Sequence, residues 1–328
     1  MAQPPIFDFH CDLLSYMAFR PFSDPFDHEL GCGIPHLRRG KVRMQICAIY
    51  TTLHADSVKH AQKQASIFTS LPKQHPEHFF LAKDAQTVEQ ELGGYRIGLL
   101  AAIENASGLL NESDPLEQAF RNLDRIISSC GKIAYISLTH HGENRFGGGN
   151  YTKAGLKEDG KALLEYISGK GICIDLSHTS DALADQILDF IELKSLDIRP
   201  IASHSNFRAV WDHPRNLRDE TAKAIIEKNG VIGINFVRAF VDNDDPSTLG
   251  KHFLYALSLG AENHLVFGAD FFYTLDNPDK SRFPFYHPQH EDASKYFGIL
   301  DSLMKMGVGK EQLEKIAYLN GLNFLNQL

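Results

Sequence analysis

The sequence predicts an α/β protein of the (β/α)8 TIM-barrel type. Three observations carry that prediction. Eight short β-branched and apolar runs recur along the chain, longer segments with helical spacing fill most of the gaps, and His, Asp and Glu residues fall repeatedly where the apolar runs end. Strands alternating with helices imply parallel pairing through right-handed crossovers. Eight such units close into a barrel whose C-terminal strand ends open on one face. An open doubly wound sheet would place a glycine-rich turn after its first strand. Here the first run leads into Phe9-His10-Cys11-Asp12.

The predicted strands are, in order, Pro5–Phe9, Arg43–Thr51, Ile97–Ile103, Ile133–Thr139, Gly171–Ser177, Pro200–Ser203, Val231–Phe236 and His264–Gly268. Between Ser180 and Lys194, Leu183, Ile187, Phe190 and Ile191 recur at three- and four-residue steps and give one buried helical stripe. Ser180 and Asp181 offer oxygens to cap its start. Glu220–Asn229 is read the same way, with Ala222, Ile225 and Ile226 inward and Asn229-Gly230 ending it. Lys310–Leu328 is expected to form one more helix on the outside of the barrel. Phe271–Asp292 is a long connection with many aromatic residues, read as a cover over the barrel mouth. The whole chain, 1–328, is expected to be a single domain.

Composition narrows the function. With 328 residues, 43% of them hydrophobic and 23% charged, the chain is ordinary globular material. Its net charge of -8 argues against a nucleic-acid partner, which selects basic patches. Arg38-Arg39-Gly40-Lys41 is read as a solvated turn. The five cysteines form no CxxC pair, and Cys47 and Cys173 sit in apolar runs, so neither a disulfide framework nor a zinc–thiolate cluster is expected. The beginning MAQPPIFDFHCDLL lacks a basic stretch followed by an apolar one, and no run is long enough to span a membrane. A cytoplasmic protein with no membrane partner is the expectation.

The chemistry gathers at the strand ends. His10 and Asp12 follow the first predicted strand, Glu104 the third, His140 and His141 the fourth, His178 the fifth, His204 the sixth and Asp270 the eighth. In a barrel these distant residues would meet in one cup. A His/Asp/Glu cluster without cysteine suits a catalytic zinc-type site better than a structural one. Singly, each residue has an ordinary reading. His178 and His204 could be hydrogen-bonded core histidines, and Asp8 could orient His10 from the same strand face or satisfy a turn. Glu104 ends an apolar run, where an unpaired carboxylate is costly. His141 is read as supporting the site, and His54, His60, His75, His78 and His252 as surface residues.

The segments FDFHCDLL, AAIENASG, ISLTHHGEN, ICIDLSHTS, ASHSNFRAV, HPRNLRDE, GVIGINF, LVFGADF and LNGLNFL, in that order, resemble the successive motifs of the membrane (renal) dipeptidase family across essentially the whole chain. The resemblance implies an amidohydrolase-like barrel with two zinc ions bridged by Glu104, one held by His10, Asp12 and Glu104, the other by Glu104, His178 and His204. It implies His140 as the residue that polarises the substrate, Arg215 as the grip on the substrate carboxylate and Asp270 as the acid/base. A metal-bridging hydroxide would attack the peptide bond of a dipeptide, in the L,L or L,D form. The resemblance also suggests a homodimer. Taken without it, Arg215 has a second reading as a surface ion pair with Asp219 or Glu220.

The chain departs from the family pattern at Phe9, Cys11, Asn105-Ala106 and Phe271-Phe272-Tyr273, positions expected to line the cup and to shift substrate preference. Cys11 also raises the prospect of an altered metal. The competing readings are another amide or ester hydrolase of the same superfamily, such as an N-acyl-amino-acid deacylase or a lactonase, and a barrel that serves only as a binding scaffold.

Overall fold

The computed structural model describes residues 3–328. Nine strands form: β1 Ile6–Cys11, β2 Val42–Tyr50, β3 Phe79–Leu81, β4 Ile97–Glu104, β5 Ile133–Ser137, β6 Cys173–Asp175, β7 Pro200–Ile201, β8 Ile232–Ile234 and β9 Leu265–Phe267. All the ladders are parallel. They run in the order β7-β6-β5-β4-β2-β1-β9-β8, and a parallel bridge between Ala202 and Ile232 brings the two outer strands together. The result is the predicted (β/α)8 barrel. Its eight strands coincide with the eight predicted runs, although several pair over fewer residues. The ninth, β3, pairs only with β4 and was not predicted. Three residues are too few to show a period.

Two β-bulges decide what faces the barrel interior. Between Asp8↔Gln45 and Cys11↔Cys47, β1 advances three residues while β2 advances two. Between Ala101↔Ile133 and Ile103↔Ile136, β5 carries the extra residue opposite β4. A bulge breaks strict alternation and re-aims a side chain. Phe9 and His10 therefore both turn inward, as do Ala134 and Tyr135. Regular β4 keeps the period of two, with Leu100 and Ala102 in the inner cluster, Ala101 and Ile103 in the outer one, and Glu104 inward at its end. The bulge also corrects the expectation that Asp8 shares a face with His10. Asp8 turns outward, accepting from Tyr296 Oη at 2.6 Å and from the Ala269 amide at 3.0 Å, and so ties β1 to the end of β9.

The predicted helices form over Asp181–Lys194 and Asp219–Glu227. Ser180 caps the first by accepting from the Leu183 amide at 3.0 Å. After the second, Asn229 takes the left-handed backbone conformation, φ 55°. The chain end departs from expectation. Lys310–Glu314 and Asn320–Leu325 are joined by a π-helical turn, Lys315–Leu319. This segment does not lie on the outer surface. Phe324 packs edge-on against Phe9 with ring centroids 5.0 Å apart, Tyr318 packs on Phe7, and Gly321 lies flat on both Phe rings. It plugs the N-terminal end of the barrel, because Phe7 and Phe9 fill the interior and need an apolar cap.

All five cysteines are buried and free. His54, His60 and His75 lie at or near the surface, but His78 and His252 are buried. His252 accepts from the Phe207 amide at 3.3 Å and donates to the Val241 carbonyl at 3.1 Å, which makes it a helix-borne core residue. Among the described residues no helix is long and apolar enough to cross a membrane.

Candidate metal centre

The strand ends converge on Glu104. Its Oε2 lies 3.2 Å from His10 Nε2, and its Oε1 lies 3.1 Å from His178 Nε2, 3.6 Å from His204 Nε2 and 3.9 Å from His140 Nε2. Asp270 Oδ1 is 3.7 Å from His10 Nε2. Donor atoms of His10, Asp12 and Glu104 lie within one ion's reach of each other, as do those of Glu104, His178 and His204, and those of His10, His204 and Asp270. The structure thus brings together every predicted ligand and both predicted catalytic groups. The backbone is bent to do so. Asn105, His178 and Asp270 all have positive φ, 74°, 64° and 63°. Each such non-glycine position costs roughly 1–3 kcal/mol, and these three of the seven among the described residues lie at the site.

Hydrogen bonds fix the histidine tautomers. Tyr135 Oη donates to the Phe9 carbonyl at 2.8 Å, so it accepts from His10 Nδ1–H at 2.8 Å. Ser203 Oγ donates to Asp175 Oδ2 at 2.5 Å and accepts from His204 Nδ1–H at 2.6 Å. Asn150 Oδ1 accepts from His178 Nδ1–H at 3.3 Å and from His141 Nδ1–H at 2.9 Å. All three rings therefore turn Nε2 toward Glu104. Those of His178 and His204 are bare lone pairs only 3.0 Å apart, while His10, whose pKa Glu104 and Asp270 push up, carries a proton on Nε2 that a bound cation would displace. His10 Nε2 and Asp12 Oδ1 are buried without a hydrogen-bond partner. Facing lone pairs and orphaned donor atoms of N/O type fit divalent cations of the zinc class. The sequence reading missed Tyr135, Asp175, Ser203 and Asn150. Tyr135 was legible in principle, since a core Tyr hydroxyl needs a partner.

The electrostatics follow from enclosure. Burial opposes charge on His10, but Glu104 and Asp270 override it and push its pKa up to about 10. Burial pulls His178 and His204 well below the usual range, as does the positive charge of Arg215 nearby. Burial, with His141 alongside, takes His140 down to about 3. Burial raises Asp270 to about 6, against the pull of His10, while Asn235 Nδ2 donates to its Oδ2 at 2.8 Å. Burial and the Glu104 charge hold the Asp12 carboxyl well above the ordinary range. Two carboxylates and a third at one point repel each other unless cations join them.

Above this cluster lies a cavity of about 450 Å³, lined by Asp12, Glu104, His140, His178 and Asp270 below. The Phe271–Asp292 connection supplies Phe272, Tyr273, Arg282 and Phe285 above, as its reading as a cover anticipates. Tyr286 ties it down by donating to the Asp270 carbonyl at 2.5 Å. Arg215 is buried, not a surface ion pair. It donates to Ser205 Oγ at 2.6 Å and to the His204 carbonyl at 2.8 Å, and its Nε has no partner. Its guanidinium is 5.6 Å from the Phe240 ring, which lines the cavity. Two of the departures from the family pattern fall away from the cup. Phe9 lies in the barrel interior against the chain end, and Cys11 faces outward, its Sγ 3.9 Å from Cys47 Sγ. Asn105 uses its side chain where a glycine would rely on bare backbone, accepting from the Ser107 amide and donating to the Thr51 carbonyl, both at 3.0 Å. Phe272 and Tyr273 do line the cavity.

This chain resembles known proteins over its full length. An uncharacterized dipeptidase of Schizosaccharomyces pombe is 25% identical, over 97% of this chain and 79% of the relative. Among solved structures, the dipeptidase AC, a metallopeptidase of family M19, superposes with a TM-score of 0.85 at 19% identity, covering 99% of this chain and 98% of the other. A Rhodobacter sphaeroides metallopeptidase, solved with a phosphinate mimic of the dipeptide L-Ala-D-Ala, gives 0.84 at 18% identity and covers 99% of each chain. The sequence profile of membrane dipeptidase (peptidase family M19) matches residues 1–328. With the barrel, the convergent donor set and this end-to-end match, the chain belongs to the membrane dipeptidase family, peptidase family M19, and is a dipeptidase of that family.

Proposed function

We propose that this chain hydrolyses dipeptides, L,D as well as L,L, with two zinc ions held by His10, Asp12, Glu104, His178 and His204. The observation that carries this reading is the convergence of four donor groups, His10, Asp12, His178 and His204, on Glu104 at the floor of a cavity, with three histidines locked to present Nε2. Among the described residues, Glu104 is the carboxylate whose two oxygens face different histidines, His10 on one side and His178 and His204 on the other, which suits it to hold both cations. When bound, the two cations supply Lewis acidity and bring the pKa of a water toward neutrality.

The chain's own residues do the rest. Asp270, with its pKa near 6 and one oxygen pinned by Asn235, takes a proton at its free Oδ1 and returns it to the leaving amine. His140 stays neutral at physiological pH and offers one N–H to the oxygen of the scissile carbonyl as negative charge develops there. Arg215 offers the guanidinium donors left over from Ser205 and His204 to the substrate carboxylate. The solved relative bound to an L-Ala-D-Ala mimic supports the inclusion of a D-residue at the C-terminal position.

A second reading, an amide or ester hydrolase without a carboxylate anchor, is favoured by one observation. Arg215 does not itself line the cavity, and both its terminal nitrogens already donate. Elemental analysis paired with a panel of L,L and L,D dipeptides, before and after chelation, tests the main reading. About two zinc per chain and chelator-sensitive cleavage are expected. Two metals without dipeptide cleavage would favour the second reading, and Arg215→Ala would then leave ester or acyl-amide hydrolysis in place.

A further inference from the structure

Two guanidinium groups line the cavity, and they are differently placed. Arg20 donates to Asp276 Oδ2 at 2.6 Å and stacks 4.1 Å over Tyr273. Arg282 stacks 4.9 Å over the Phe285 ring and, among the described residues, makes no ion pair. Asp279, three residues before it, spends one carboxylate oxygen on the Ser281 amide and hydroxyl, at 3.1 and 2.6 Å. The backbone under Arg282 is fastened. Arg238, just past β8, donates through Nε to the Pro284 carbonyl at 2.7 Å, through Nη2 to the Arg282 carbonyl at 3.3 Å and through its amide to the Phe285 carbonyl at 2.8 Å.

Arg282 and Arg215 are each carried by an aromatic ring of the cavity wall. Phe240, which carries Arg215 against its ring, and Phe285, which carries Arg282, line the same cavity. The acids lining that cavity are committed elsewhere. Asp12, Glu104 and Asp270 belong to the floor cluster, and Asp276 is bonded to Arg20. The mouth therefore carries one unmatched positive charge beside apolar walls, which weaken solvent screening. A neutral dipeptide leaves that charge to water.

We propose that Arg282 selects dipeptides whose C-terminal residue has an acidic side chain, Asp or Glu, by pairing with the side-chain carboxylate while Arg215 takes the terminal one. This rests on the dipeptidase reading above. The test compares kcat/KM for Ala-Glu and its neutral isostere Ala-Gln, each with an L or a D C-terminal residue, on the metal-loaded enzyme and its Arg282→Gln and Arg282→Glu variants. A rim ion pair predicts a preference for Ala-Glu of roughly fivefold, shrinking as salt is raised. Arg282→Gln should bring the ratio to about one, and Arg282→Glu should invert it and favour Ala-Lys over Ala-Gln. The ratio cancels any change common to both substrates, so a general loss of activity does not mimic the effect. A ratio that is unchanged in both variants overturns the role of Arg282 and leaves the dipeptidase reading standing. Absence of cleavage of every dipeptide by the metal-loaded enzyme overturns that reading, and the selection with it.

Discussion

Replacing Tyr135 by Phe removes one oxygen atom and leaves two buried groups, His10 Nδ1–H and the Phe9 carbonyl, without their partner at 2.8 Å. An unpaired buried polar group costs about 1–3 kcal/mol, so with two of them the metal-free protein should lose about 2–6 kcal/mol of stability. The second effect is on the metals. With Tyr135 gone, nothing fixes the His10 proton on Nδ1, and the ring can turn its protonated face toward Glu104. Loss of such an outer partner weakens metal binding by about 10–100-fold. Because tenfold is about 1.4 kcal/mol, saturating zinc should stabilise the variant by about 1.4–2.8 kcal/mol less than it stabilises the parent. Urea unfolding of the metal-free proteins gives the first quantity, and competition with a chromophoric chelator gives the second. If the variant is destabilised yet holds zinc as tightly as the parent, the tautomer argument is wrong. The stacking of His10 on His204, with centroids 3.7 Å apart, would then suffice to orient the ring.

Three further outcomes are expected. Glu104→Gln removes the charge that His10, His178 and His204 all face, so metal content should fall toward zero and hydrolysis by on the order of a thousandfold or more; two retained metals would remove Glu104 from the bridge. Asp270→Asn keeps shape and the Asn235 contact, so metal content should hold while kcat falls by roughly 10²–10⁴; lost metal would make Asp270 a ligand rather than the proton carrier. The largely enclosed pair His36–Asp292, 3.2 Å apart, should stabilise the fold over a defined pH window. The Asp292 contact raises the His36 pKa above 6.5, so its contribution is complete below about pH 6.5 and fades as pH rises through the folded value. Burial raises the Asp292 carboxyl, but His36 and Ser294 bring it to about 2, so its part is present above about pH 4 and lost as pH falls through 2. The unfolding free energy lost in His36→Gln should be on the order of 2 kcal/mol between about pH 4 and 6.5 and smaller at pH 9; a difference flat across that range would exclude the pair as its source.

The sequence by itself determined the fold class, the eight barrel strands and which strand-end residues gather in one cup, because each of these is written in local terms. Apolar runs of four to nine residues read as strands wherever they fall. A carboxylate or imidazole at the end of such a run is costly unless something binds it, so Glu104, His178, His204 and Asp270 stood out against Leu, Ile and Ala neighbours. Other features depend on register, which no short window contains. The extra residues in β1 and β5 turn His10 and Tyr135 inward together and send Asp8 to the opposite face, reversing what strict alternation predicts. The interior filled by Phe7 and Phe9 draws the final helix under the barrel rather than along its side. The Tyr135–His10, Ser203–Asp175 and Asn150–His178 contacts join residues up to 125 positions apart and exist only once the strands are closed. Burial of Arg215 and His252 was likewise decided by packing: His252 sits on the buried stripe of its helix beside Leu249, Phe253 and Ala256, and Arg215 lies in a segment with no apolar period of its own. The candidate ligands are legible as residue types at strand ends, whereas the side-chain partners that set the proton on each imidazole are brought within hydrogen-bond distance by the tertiary structure.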